Sequence, residues 1–134
     1  MHEAEYRRLK ASWHVGSRER EDALHLLYLA WMHWADPLFV TGMEEDPDAI
    51  ELWLAISTYF GGESSEDAEF LHVAGLMASI TPEELGDGWT SRADRMSARS
   101  LQLNPDDFPP ELFEGRGLYG EYFAHQARAR PWDS

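Results

Sequence analysis

The most apolar stretch of the chain spans 23–35 and reads ALHLLYLAWMHWA, with polar side chains only at His25 and His33. A helix that is apolar around its whole circumference has to be enclosed by other elements, whereas a helix with one apolar stripe lies on a surface. The Asp36-Pro37 pair ends the stretch, because the residue before a proline is disfavoured in the helical conformation. The pattern predicts a buried central helix over about 18–35.

Apolar residues recur at helical spacing in most of the remaining chain. Between proline and glycine positions that begin or end helices, the spacing predicts further helices over about 3–13, 48–60, 64–79, 91–103 and from 118 onward. No alternating pattern of useful length indicates a strand. We therefore expect an all-α fold, a single domain over 1–134, with five to six helices packed as antiparallel hairpins around the central helix. The expected core contains Leu27, Trp31, Trp53, Ile56, Leu71 and Met77.

The charge of the chain is concentrated in its middle. The sequence has 25 acidic and 11 basic residues, and the segment from Glu21 to Arg92 holds fifteen acids and no base before Arg92 itself. Such a body repels nucleic acid phosphates, so nucleic acid is not an expected partner. It suits a basic protein surface, while solubility alone is the alternative reason for the acidity. The acids expected to contact a partner are Glu44, Glu45, Asp46, Asp48, Glu63 and Glu66.

The sequence lacks the residues that several classes of chemistry require. The absence of cysteine excludes disulfides, thiolate nucleophiles and cysteine-based metal sites. There is no glycine-rich phosphate loop and no serine in a nucleophile elbow, so the sequence offers no residues for a kinase or a hydrolase. We also expect no cofactor. The N-terminus lacks the apolar core of a signal peptide, and 23–35 is too interrupted for a membrane span. We expect a cytoplasmic protein without a membrane partner; the oligomeric state stays open.

Two carboxylate and histidine pairs suggest an alternative function. Asp22 with His25, and Glu69 with His72, each lie one helical turn apart. Paired Glu-x-x-His helices build di-metal sites inside helical bundles, so these four residues predict a helical-bundle metalloprotein. Purely structural roles compete with metal binding at these positions. A carboxylate such as Asp22 is favoured in the first turn of a helix by the helix dipole, and a histidine on a buried helix commonly bonds a nearby carbonyl or carboxylate.

A basic stripe lies near the end of the acidic segment. Arg92, Arg95 and Arg99 are spaced at i, i+3 and i+7, which places them on one face of the predicted helix over 91–103. We expect this stripe to form salt bridges with the acidic body, and an anion site is the less favoured alternative.

The segment RSLQLNPDD, 99–107, resembles the end of the second helix of a tetratricopeptide repeat and the turn after it. Ser100 falls on a small-residue position of that helix and Pro105 on the closing proline. Ala74-Gly75 matches the small close-packing site of the preceding helix, although a TPEELGDGW insertion lengthens the hairpin. The resemblance, best over 93–107, implies antiparallel helical hairpins stacked side by side and a protein-binding role.

Together these features favour a non-catalytic, acidic helical interaction module that binds a basic protein. Bacterial immunity proteins that neutralise cationic toxins share this physical profile, as do acidic adaptors, and ten arginines to one lysine are compatible with a GC-rich bacterial genome. Negative potential would steer association and make its rate depend on salt. Exposed aromatic side chains would then supply affinity.

Overall fold

The structure, a computed structural model, describes residues 2–35 and 46–128. Within these ranges the chain is helical and has no strand, which confirms the all-α class. Six helices of twelve to sixteen residues make up most of these two ranges, and none of the described helices is long and apolar enough to cross a bilayer. The helices are α1 His2–His14, α2 Arg20–Ala35, α3 Ala49–Phe60, α4 Ala68–Ile80, α5 Pro82–Leu85, α6 Trp89–Leu103, α7 Pro110–Phe113 and α8 Gly117–Arg128, with a 3-10 turn at Gly62–Ser64.

Helix α2 is the central element predicted from its apolar circumference. It packs against α1, α3, α4 and α8, and Ala23, Leu24 and every residue from 26 to 31 are buried. The six side chains expected in the core are each at most 4% exposed, so that prediction is confirmed as well. Burial on all sides explains why the helix carries no solvent stripe.

Contacts at the helix ends define the directions of the first hairpins. On α1, Tyr6 stacks on His33 near the end of α2, with ring centroids 3.8 Å apart. At the end of α3, the Tyr59 hydroxyl donates to the carbonyl of Arg18, which precedes α2. Helices α1 and α3 therefore both run antiparallel to α2, as expected for hairpins around it.

Helix α4 runs in the same direction as α2. The Arg20 side chain at the start of α2 binds Asp67 at the start of α4, at 2.8 and 2.9 Å. Beyond the end of α4, the Thr81 hydroxyl accepts a bond of 2.9 Å from the Trp31 indole N–H. The two helices are parallel because α3 lies between them in the chain. The direction reverses from α2 to α3 and again from α3 to α4.

Helices α4 and α6 form a hairpin in which the two helices lie close together at a glycine. A Cβ atom on Gly75 would lie 2.7 Å from the Ser97 Oγ and 3.3 Å from the Ala93 carbonyl oxygen, so only glycine fits there without a shift. Nearer the hairpin's open end, the Ser100 hydroxyl donates to the Ala68 carbonyl at 2.9 Å. Gly75 and Ser100 are small residues on which the tetratricopeptide resemblance rests, but such a hairpin is common to many helical folds and the resemblance stays a prediction.

Two helices begin at other residues than the sequence predicts. Helix α4 starts at Ala68 rather than near 64, because the Asp67 side chain caps it by accepting from the Phe70 N–H at 3.1 Å. Helix α6 starts at Trp89 rather than near 91, after Gly88 with a φ of 86°. Both segments offer several residues suited to capping, and long-range packing selects one of them.

Candidate functional site

Asp46, one of the acids expected to meet a partner, is used inside the protein. Its carboxylate accepts from the Tyr6 hydroxyl at 2.5 Å, from Lys10 Nζ at 2.8 Å and from the Asp48 N–H at 2.9 Å. Burial alone would raise the pKa of Asp46, but the bonds from Lys10, Tyr6 and the Asp48 N–H outweigh it and lower the pKa to about 2. The bonds of Asp46 therefore connect α1 to the turn before α3.

Glu63 is neutralised in a similar way by the basic stripe. Its carboxylate accepts from Arg95 Nε at 2.5 Å and from Arg92 Nε at 3.1 Å, and the Arg95 bond is the largest of the effects that lower the pKa of Glu63. Arg99 instead donates to the Ser65 carbonyl at 2.7 Å. The expected salt bridges of the stripe are confirmed for Arg92 and Arg95.

Two of the expected contact residues keep their charge at the surface. The Asp48 side chain is 71% exposed and has Lys10 Nζ 3.9 Å away. Glu66 is also exposed, and no side-chain hydrogen bond or ion pair joins it to the described residues. Glu44 and Glu45 lie outside the described residues. Asp48 and Glu66 are therefore the predicted contacts that the structure leaves available to a partner.

Of the four residues of the metalloprotein alternative, Asp22 lies half-buried in the first turn of α2, and the other three contact other side chains. His25 Nε2 donates to Glu21 at 3.0 Å, and His72 lies 3.9 Å from Asp107 through Nδ1. Glu69 is 9% exposed and is bound by arginine and tyrosine side chains. Across residues 2–35 and 46–128, no group of three His, Asp or Glu side chains is placed to hold a metal ion. The alternative stays a prediction for metal analysis to test.

A buried ion cluster around Glu69 is the main polar feature that the sequence did not indicate. The carboxylate accepts from the Tyr119 hydroxyl at 2.5 Å, from Arg116 Nη2 at 2.7 Å and from Arg20 Nη2 at 3.3 Å. Burial and the neighbouring Glu69 raise the pKa of Tyr119, so the phenol stays a donor. These three donors use most of the acceptor sites of the Glu69 carboxylate within the fold.

The two arginines of this cluster extend it across three parts of the fold. Arg116 makes a bidentate pair with Glu21 on α2, at 2.9 and 2.8 Å, while Arg20 makes another with Asp67 before α4. The Arg116 bond is the main cause that lowers the pKa of Glu21 to about 2. The cluster therefore acts as a clamp between α2, α4 and the start of α8, and its side chains are saturated with bonds to one another.

The fold uses its basic and acidic side chains very unevenly. All ten Lys and Arg side chains in the described ranges are engaged within the fold: eight pair with carboxylates, and Arg18 and Arg99 donate to backbone carbonyls. Nine exposed carboxylates, in contrast, have no basic side chain within 4 Å in the part of the chain that the structure describes. These are Glu19, Glu51, Glu66, Glu83, Asp87, Asp94, Asp106, Glu111 and Glu121.

No family model, curated protein or solved structure matches this chain. The tetratricopeptide resemblance is accordingly neither supported nor opposed by a relative.

Proposed function

We propose that the protein is a cytoplasmic, non-catalytic interaction module whose acidic surface binds a basic surface of another protein. The observation that carries this proposal is the uneven use of charge. Every described Lys and Arg is bound within the fold, while nine exposed carboxylates are not. A partner therefore meets a surface whose available charges are predominantly negative, and such a surface attracts cationic proteins and repels anionic ones.

This charge acts mainly on the rate of association. Unpaired surface carboxylates attract a basic partner over roughly the Debye length, about 8 Å at physiological ionic strength, and added salt shortens that range. The proposal therefore implies an association rate that falls as salt rises, with a smaller change in the dissociation rate.

The source of affinity differs from the sequence expectation of exposed aromatics. Among the described residues, Tyr59 is the one exposed aromatic side chain, with an exposed fraction of 48%. The other aromatic rings pack in or against the core. The remaining large exposed apolar side chains are aliphatic: Val15, Ile80, Leu101, Leu103 and Leu112. Contacts from Tyr59 and these aliphatic groups would supplement the electrostatic attraction.

The test is affinity capture from a lysate of the source organism at low and at high salt, with three baits. The first is the wild type and the second is Glu66→Gln/Glu83→Gln/Asp87→Asn, which removes three exposed, unpaired charges. The third, Thr90→Ser/Gln102→Asn, changes exposed residues without changing the charge. We expect the wild type and the neutral control to recover the same basic protein at low salt, and the charge variant or high salt to reduce that recovery.

Two results would contradict the proposal. One is that no basic protein is recovered at either salt concentration, which would favour solubility as the role of the acidity. The other is a recovered protein whose binding responds neither to salt nor to the three charge substitutions. Far-ultraviolet circular dichroism of each bait checks that the variants remain helical.

A further inference from the structure

An open groove of about 330 Å³ lies between α1 and α3. Side chains at i, i+3 and i+4 of α1 form one wall, and side chains at the same spacing from the start of α3 form the other, so the groove follows one face of each helix. Its volume is at the lower end of the range for ligand pockets, which suits one inserted side chain better than a folded element. The residues that matter here are Lys10, Trp13, His14, Asp48, Glu51 and Leu52.

The charge at the groove is negative in spite of its lysine. Lys10 is bound by Asp46 at 2.8 Å, so its charge is already compensated. Asp48 and Glu51 then remain on the α3 wall, and His14 lies opposite them on α1. The Asp48 carboxylate makes no capping bond to α3 and lies 3.9 Å from Lys10 Nζ. Since the Asp48 side chain is 71% exposed, a ligand can still reach it. A cationic occupant complements these two carboxylates.

The apolar side chains that line the groove favour a cation with a flat, partly apolar shape. Trp13 borders the groove and already binds one guanidinium within the fold, that of Arg18, whose central carbon lies 3.6 Å from the ring centre. Leu52 also lines the groove and is 5% exposed, so it adds a small aliphatic surface. Asp48 and Glu51 are three residues apart, so their side chains are neighbours on the helix surface. One planar guanidinium can therefore bond both carboxylates.

We propose that this groove is the docking site for an arginine side chain of the basic protein partner. The proposal rests on the proposed function and assigns it a place on the molecule. The methylene groups of the arginine lie along Trp13 and Leu52, and its guanidinium lies between the carboxylates of Asp48 and Glu51. Arginine fits this site better than lysine, because lysine has neither the planar fork nor the stacking face.

The test is a titration of ¹⁵N-labelled protein with an N-acetylated, C-amidated hexa-arginine peptide at low salt, followed by NMR. We expect amide shifts to cluster on α1 and α3 around Trp13 and Glu51, and hexa-lysine to bind several-fold more weakly. Asp48→Asn/Glu51→Gln should raise the Kd for hexa-arginine about five- to tenfold. The matched control, Glu111→Gln/Glu121→Gln, removes two unpaired charges from α7 and α8 and should change the Kd less than about twofold.

Three outcomes would overturn this inference. Equal weakening by the two variants, with shifts spread over the surface, would mean a diffuse acidic field, in which case the groove assignment fails and the proposed function stands. Equal affinity for hexa-lysine would refute the preference of the groove for a planar guanidinium that bonds both carboxylates. The absence of peptide binding to the wild type would exclude the groove as an arginine site, and the lysate capture would then decide separately whether a basic partner exists.

Discussion

Substitution of Glu69 by glutamine tests the buried ion cluster most directly. Glutamine has nearly the same size as glutamate, so the change removes charge without opening a cavity. It also replaces one carboxylate oxygen by an NH₂ group, either Oε1, which accepts from Arg20, or Oε2, which accepts from Arg116 and Tyr119, and a donor then faces a donor. Only the remaining carbonyl oxygen is left to accept from Tyr119 or an arginine.

The expected cost follows from the contacts of Glu69. Loss of one partner of a fully buried ion pair costs about 3–5 kcal/mol, and a hydrogen bond to a charged group contributes about 1.5–3 kcal/mol. The side chains of Arg116 and Arg20 are 19% and 49% exposed, and they keep Glu21 and Asp67 as partners, so water and these pairs recover part of the loss. We therefore expect Glu69→Gln to lower the free energy of unfolding by about 2–3 kcal/mol.

Urea unfolding followed by circular dichroism measures this change, with Glu66→Gln as the matched control. Glu66 is an exposed glutamate just before α4, and its substitution should change stability by less than about 0.5 kcal/mol. A double-mutant cycle with Tyr119→Phe isolates the shortest bond of the cluster, and the two substitutions should be non-additive by at least about 0.5 kcal/mol. Equal stability of the Glu69 and Glu66 variants would refute the clamp.

Three further predictions concern different parts of the molecule. The pKa of Glu21 is about 2 in the fold against an ordinary 4.5, so the stabilisation from its charge is complete above pH 4.5 and is lost as the pH falls toward 2. Glu21→Gln should therefore make Tm fall less steeply over that pH range. Leu27→Ala should cost about 2–5 kcal/mol by cavity formation, and an unchanged Tm would contradict an enclosed α2. Metal analysis of the purified protein should find no stoichiometric iron or manganese; retained metal that is lost on His25→Ala or His72→Ala would establish the metalloprotein alternative.

The sequence predicts the fold well because a buried helix can be recognised from the pattern of apolar residues in its own segment. Residues 23–35 are apolar on all sides, and a helix of that kind can only be central. Gly61 likewise marks the end of α3, where its φ of 105° caps the helix. The predicted starts of α4 and α6 are wrong by a few residues, since several serines, aspartates and glycines near each start are all suited to capping and the sequence does not rank them.

The candidate site is less predictable, because a charge count does not reveal which charges pair. The sequence does not distinguish Asp46 and Glu63 from Glu66, since all three are acids of the same acidic segment. In the structure, Lys10 binds Asp46 and Arg95 binds Glu63. None of the described basic residues binds Glu66. Arg116 pairs with Glu21 across 95 positions, and no local pattern marks such a partner. The groove between α1 and α3 likewise depends on packing between helices that 34 residues of chain separate.

The positions of the pairs explain why stability and binding should respond to different acids. The basic residues lie mainly in the two flanks of the chain, and folding brings them onto the acidic middle, as in Lys10 with Asp46 and Arg92 with Glu63. These pairs join helices, so loss of a paired carboxylate should lower Tm. An unpaired one such as Glu66 holds no helix in place, and its loss should change mainly the salt-dependent association rate. The described acids therefore fall into two groups: the paired ones connect parts of the fold, and the unpaired ones stay exposed at the surface, where the proposed partner would bind.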